Sequence, residues 1–350
     1  MVFHTSILNL DTTAPLSEKI DEIITIAKHD VLHSDNLKII KEKQLVCKIL
    51  NDTFVLTDKY LYCAAGDLTT DGANISFRAK VRIRLQWLLC NFDVKESSRG
   101  QHYCIEFIKN GKKIVCDTLS AERYNKWRDV LKSRVVHINF HAKYRVDELA
   151  PSRGKSNLVK IIQSESGEIF LTEKVHKESL SDPAHVRALV SRIKILRKLN
   201  EFSGVLQFKE VHETVKSVYI VYEPYFGAPV FRHSFKYTTS AFVQVLKSVL
   251  SILRALEVKG IAHNYIRPKS VYYKYSNKSS GQNEIILTNL SRAERVKQLA
   301  DTSDATTVNS RSIDSKEAKA HNQDIVDLAR TCLNYYYYAQ YGKLHDQATD

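Results

Sequence analysis

The stretch GIAHNYIRPKSVYYKYS, beginning at residue 260, gathers groups that could do chemistry. Within eight residues stand an imidazole (His263), a phenol (Tyr265), two cations (Arg267 and Lys269) and a hydroxyl (Ser270). The set lacks a carboxylate. A phenol, with an ordinary pKa of about 10, is a poor proton acceptor near neutrality. The frame HxxxxPxxV, with Pro268 in its middle, follows a long apolar-periodic segment, SAFVQVLKSVLSILRALEVKG. Three other stretches carry reactive types around it: GEIFLTEKVHK with Glu173, LVSRIKILRKL with Arg192, and EIILTNLSRA with Asn289. Six cysteines (Cys47, Cys63, Cys90, Cys104, Cys116 and Cys332) have neither CxxC spacing nor a partnered His cluster. They read as small apolar residues kept reduced, and no metal site is expected.

The elements that must position these groups fall into two styles. The net charge is +13 with a pI near 9.3, and residues 38–134 hold 19 basic against 11 acidic side chains. That bias points to an anionic partner, a membrane face before nucleic acid, or to a solvated basic surface. RGG tracts, zinc-finger spacings and RNP-like motifs are absent, so a nucleic-acid partner is not expected. No run of 18 apolar residues exists, and MVFHTSILNL lacks a signal-peptide pattern. These features imply a cytoplasmic protein. Residues 14–34, with Ile20, Ile23, Ile24 and Ile26, predict an amphipathic helix in an amino-terminal helical extension over 1–35.

From Leu37 the apolar period becomes two, with turn signals at ND, TDGAN, ESSRG and KNGK. FIKNGKKIV predicts a hairpin turning at Asn110-Gly111. One helix closes this run: Ser120 is its expected N-cap, Glu122 lies in the first turn, and Tyr124, Trp127 and Leu131 form its apolar stripe. Seven short strands followed by a single tryptophan-bearing helix resemble a pleckstrin homology (PH) domain over 36–136. The carrying residues are TFVLTDKYLY, HYCIEFI and Trp127 in ERYNKWRDVL. Lipid-binding members of that family converge several cations on ring phosphates. Lys41, Lys43 and Lys48 lie nearby here, but Leu50 stands where the resemblance calls for Arg. Strand RAKVRIRLQW places Arg78, Lys80, Arg82 and Arg84 on one face. These seven cations are the candidate lipid-binding residues, and a solvated sheet face is the competing reading.

From Tyr144 the order strand, strand, helix, strand, strand, helix, catalytic-loop-like segment, strand, strand resembles a protein kinase domain. Phosphoryl transfer needs phosphates cradled by backbone N–H groups, a Lys upon them, Mg²⁺ held by carboxylate and amide, and a carboxylate near the acceptor hydroxyl. Against the family's GxGxxGxV the chain has SRGKSNLV, keeping only Gly154; Ser152 and Asn157 replace the other glycines. The strand Lys is replaced by Glu173 and its helix Glu by Arg192, 19 residues on. An exchanged Glu173–Arg192 salt bridge would still tie strand to helix, but Glu173 would repel phosphates. A one-residue slip to Lys174 would present the opposite face of the strand. Tyr222 takes the gatekeeper slot, with Glu223 after it. HNYIRPKSV overlays HRDLKPENI: His263 and Pro268 remain as scaffold, Tyr265 replaces the base Asp, Arg267 the loop Lys, and Ser270 the metal-holding Asn. Asn289 replaces the metal Asp, a much weaker arrangement for Mg²⁺. Asp324 matches the Asp that supports the loop.

The resemblance therefore implies a multidomain α+β chain: a PH-like β-barrel or sandwich with a C-terminal helix, then a two-lobed kinase-like fold. The N-lobe spans 144–227. The C-lobe, 228–350, lacks counterparts of the family's last helices and contains a polar stretch, about 292–322, expected to be disordered. Without those helices, the tyrosine run 335–338 is expected to form apolar surface suited to self-association. With five catalytic positions replaced, the expectation is a pseudokinase without ATP–Mg²⁺ as cofactor. It would act as a signalling scaffold for a partner protein, an active kinase among the candidates, peripherally recruited to acidic phospholipid. The alternatives are a degenerate active Ser/Thr kinase or ATP-binding protein, and a phosphoinositide-binding recruitment module.

Overall fold

The isoleucine-rich stretch near the amino terminus forms a strand, where a helix was expected. A computed structural model describes residues 6–10, 16–40, 51–97, 100–110, 112–147, 158–225, 227–231, 237–275, 284–296 and 315–341. Of these, 35–40, 51–52, 65–67, 97, 315–321 and 337–341 are described by backbone alone. Strand β1 (Glu18–Ala27) pairs antiparallel with the strand over residues 74–84. Ile20, Ile24 and Ile26 pack inward, while Ile23 is 77% exposed. That is a period of two, and consecutive β-branched residues favour it over the helical spacing that Ile20, Ile23 and Ile24 imitate.

β2 (His33–Ile40), β3 (Asn51–Leu56), β4 (Tyr60–Asp71), β5 (Asn74–Arg84), β6 (Leu89–Ser97), β7 (Gly100–Lys109) and β8 (Lys112–Asp117) follow, closed by helix α1 (Ala121–Leu131). Lys109 faces Lys112 across a two-residue turn, and Asn110 there has φ of 50°, the left-handed conformation asparagine tolerates. Ser120 caps α1, its hydroxyl accepting from the Arg123 N–H at 3.3 Å. Trp127 and Leu131 are fully buried in a core with Phe54, Leu56, Ile105 and Phe107. Truncating a side chain such as Trp127 costs about 3–5 kcal/mol. On β3, Val55 joins a second cluster with Tyr62 and Phe77, so this strand is buried on both faces.

Next come β9 (Val136–His137), the short helix α2 (Phe140–Lys143), β10 (Tyr144–Val146), β11 (Leu158–Gln163), β12 (Ile169–His176), α3 (Pro183–Lys198), β13 (Phe208–Glu213) and β14 (Ser217–Tyr222). Among the described residues, fourteen strands form one sheet in the order β1-β5-β4-β3-β2-β8-β7-β6-β9-β13-β14-β12-β11-β10. The two-residue β9 is its bridge, pairing in parallel with β6 and with β13.

The chain divides into two compact units, residues 1–187 with 209–222 and residues 188–208 with 223–350. The second contains β15 (Gly227–Pro229), α4 (Thr239–Val258), β16 (Ile261–Ala262), β17 (Val271–Lys274), β18 (Glu284–Leu287), β19 (Glu294–Arg295) and α5 (Ser315–Tyr341). α4 is capped by Thr238 and buries Val245, Val249, Ile252, Leu253 and Leu256 on one face. At Gly227 a Cβ would lie 1.6 Å from the Tyr273 carbonyl oxygen, so β15 approaches β17 only because that residue is glycine. The stretch expected to be disordered, 292–322, carries β19 near its start and the first turns of α5 from Ser315. Residues 297–314 lie outside the described ones. The tyrosine run is also not uniformly exposed: Tyr335 is buried beside Phe231, Tyr237 and Phe242. The whole is a mixed α/β chain with large sheets and few helices, compatible with a multidomain α+β kinase-like fold.

Candidate functional site

The loop that follows β16 in the second unit is held by its backbone. His263 N–H donates to Asp324 Oδ2 at 2.8 Å and Asn264 N–H to Oδ1 at 2.6 Å. Asn264 sits at φ 57°, where asparagine is among the few residues tolerated. Further along, the Thr331 hydroxyl donates to the Ile266 carbonyl at 3.1 Å. Asp324 and Thr331 lie seven residues apart on α5, two turns along one face, and both are buried. His263 is wholly buried, and its Nε2–H donates to the Thr288 carbonyl at 3.0 Å. Burial pushes its pKa down to about 4. The ring is therefore neutral, tying the loop to the end of β18.

The side chains at the chemical positions are engaged differently. Ser270 is 1% exposed, and its hydroxyl accepts from Arg267 N–H at 2.8 Å and donates to the Arg267 carbonyl at 2.9 Å. The hydroxyl closes the turn around Pro268. Tyr265 is half-buried, with the guanidinium carbons of Arg267 and Arg292 at 5.4 and 4.7 Å from its ring centroid. These are cation–π distances. Asn289 is exposed and left-handed, at φ 59° and ψ 60°. It leads into a 3-10 turn over Leu290–Arg292. So His263, Asp324, Ser270, Arg267 and Tyr265 belong to one local assembly. Its carboxylate is consumed by backbone N–H groups.

Gly154, Lys41, Lys43 and Lys48 fall outside the described residues. Glu173 is half-buried on β12, facing Leu158 and Ile220 in register. The neighbouring Lys174 is exposed and lies 5.9 Å from the Tyr219 ring centroid. Arg192 is buried on α3 at 9% exposure; Glu173 belongs to the first unit and Arg192 to the second. On β5, Arg78 makes two 2.7 Å hydrogen bonds to Asp21. Arg82 bonds Glu18 at 3.0 and 2.5 Å, and Arg84 donates to Gln86 at 3.3 Å. β1 thus supplies counterions to two cations of the expected lipid-facing row; Lys80 is exposed on the same strand. Among the described residues no three His, Cys, Asp or Glu side chains converge as a metal site. Nor is any helix there long and apolar enough to cross a membrane.

A second polar assembly, missed in the sequence, lies in the first unit around Glu210. Glu210, His212 and His137 are all buried, and Glu210 accepts from Lys143 at 2.9 and 2.8 Å and from the Tyr144 hydroxyl at 2.5 Å. The available signal was FKEVHE, where strand alternation sets Glu210 and His212 on one face inside an apolar sheet.

The chain matches no family model. Over 117 residues it is 25% identical to calcium-dependent protein kinase 14 of Arabidopsis thaliana, covering 33% of this chain and 22% of that protein. Over 115 residues it is 25% identical to calcium-dependent protein kinase 24 of the same plant, covering 32% of this chain and 20% of that protein. The chain spans about a fifth of the length of these curated relatives. This weak likeness supports a protein-kinase-like region in about a third of the chain.

Proposed function

We propose that this chain is a catalytically inactive, protein-kinase-like signalling scaffold, with a PH-like sheet at its amino-terminal end. One observation carries the reading: both oxygens of Asp324 accept from the loop's main chain, and the His263 imidazole donates to the Thr288 carbonyl. On the kinase resemblance, a phenol, a turn-closing hydroxyl and an amide would take the base and metal positions, as Tyr265, Ser270 and Asn289. Phosphoryl transfer calls for a carboxylate at the base position and for an amide and a carboxylate on the metal. The scaffold would present its kinase-like region to a partner protein, with an active kinase the favoured class, in the cytoplasm or at a membrane face. Purified full-length chain should transfer no phosphate from ATP to a generic Ser/Thr substrate. Transfer that disappears in Glu173→Ala or Asn289→Ala would overturn the proposal.

Recruitment to acidic phospholipid is a second reading, favoured by the net charge of +13 and by the exposed Lys80 and Arg84 on β5. The Asp21 and Glu18 pairs weaken it only modestly, because exposed ion pairs contribute little and a polyanion can displace them. It requires that vesicle sedimentation fall when Arg82 and Arg84 are both replaced by Glu. Unchanged sedimentation would remove it.

A further inference from the structure

β13 carries three ionisable side chains that are almost wholly buried: Glu210 at 0%, His212 at 1% and Glu213 at 5% exposure. Alternation along a strand puts Glu210 and His212 on one face and Glu213 on the other. Buried carboxylates persist only when paired and hydrogen-bonded, and here both faces have partners. Glu210 takes Lys143, the Tyr144 hydroxyl and His212 Nε2 at 2.9 Å, while His137 Nε2, 3.7 Å away, donates to the Lys132 carbonyl at 2.9 Å. Glu213 takes the Ser6 hydroxyl at 2.5 Å, the Ile7 N–H at 2.9 Å and Lys177 Nζ at 2.6 Å. The edge of β13 is covered as well. Val211 and His212 pair with Val136 and His137 of β9, which pairs on its other side with Leu89 and Cys90 of β6.

We infer that β13 is a lock joining strands β1–β8 to strands β10–β14 as one cooperative body, so that the amino-terminal strands brace the following sheet permanently. This inference is independent of the proposed function. Residues 136–146, which a modular reading would treat as a short connection, supply β9, α2, β10, Lys143 and Tyr144 to the lock. Removing the amino-terminal region would open an unpaired strand edge. It would also leave Glu213 without Ser6 and Ile7. In return, a ligand that stabilises either half of the sheet stabilises the other, because both halves unfold in one event.

Native-state hydrogen exchange of the full-length chain under rising denaturant tests the lock. In the wild type, amides of β7 and β8 and amides of β12 and β14 should open with the same midpoint. Glu210→Gln should speed exchange in both groups by the same factor, about a hundredfold or more. Ser6→Ala, a milder change on the opposite face, should do so by about tenfold in both, and serves if Glu210→Gln does not fold. Separate midpoints in the wild type, or acceleration confined to β12 and β14, would overturn the inference.

Discussion

In the first unit, the carboxylate Glu210 is surrounded by side chains: an ammonium, a phenol hydroxyl and two imidazoles from residues 137–144 and 212. In the second unit, Asp324 instead receives main-chain N–H groups at His263 and Asn264. A side-chain knot depends on every partner keeping its charge and shape. A carboxylate that grips backbone N–H groups asks little of the side chains beyond them, save the left-handed turn that Asn264 tolerates. That difference explains how the loop can hold its course with Tyr265 and Asn264 in it. The course of the backbone at 263 and 264 is held without a group that would do chemistry there.

The sharpest way to break the comparison is to remove each carboxylate in turn. Glu210→Ala should cost about 3–5 kcal/mol in denaturant unfolding, because it leaves the half-buried Lys143 ammonium and the buried Tyr144 hydroxyl without their acceptor. Adding Lys143→Met should restore part of that loss. Asp324→Ala should cost about 2–3 kcal/mol, the penalty of two unsatisfied buried N–H groups. Equal losses, with no rescue by Lys143→Met, would erase the distinction.

Acidification probes the same contrast through the histidines. Burial pushes His137 down to about 3, with Glu210 pulling the other way, and it also lowers His212. Burial pushes His263 to about 4. In each case the unfolded chain takes up the proton first, near 6.5. The stabilisation is thus complete above about pH 6.5 and is lost as pH falls toward the folded values. Each imidazole should cost roughly 1.4 kcal/mol per pH unit across that window. Glu210 does not offset this: burial opposes its ionised form, but His212, His137 and Lys143 overrule that and hold its carboxyl well below the usual range. The Tm should fall steadily from pH 6.5 to 5, with first-unit amides losing protection more steeply than those of α5. A flat profile would show that the histidines are not buried neutral. The smallest effect should come from the loop's own chemical position. Tyr265→Phe keeps the ring beside Arg267 and Arg292 and should change stability by less than about 1 kcal/mol.

Much of the second unit was legible because its pattern is local. The frame from His263 to Val271 and the amphipathic α4 each lie within one short window, the first located by its resemblance to a kinase loop and the second by its apolar spacing. Ser120 and Trp127 were legible for the same reason: a cap and an apolar stripe are one-helix properties. The Glu210 knot was hidden because its members are scattered from 137 to 212 and converge only when β9 pairs with β13. Two residues of parallel strand leave no periodicity to read. β1 was misread because Ile20, Ile23 and Ile24 fit a helical face as well as a strand, and only pairing with β5 decides between them. Likewise, the row Arg78, Lys80, Arg82 and Arg84 announced a cationic face, but not that β1 would bring Asp21 and Glu18 across it.

The central claim is that the loop keeps its course without the groups that hold a nucleotide's metal and phosphates. Calorimetric titration of the full-length chain with ATP in the presence of Mg²⁺ tests it most directly. The expected result is no saturable heat, and no Tm shift in a parallel melt. A saturable, Mg²⁺-dependent isotherm that is abolished by Asn289→Ala would contradict it.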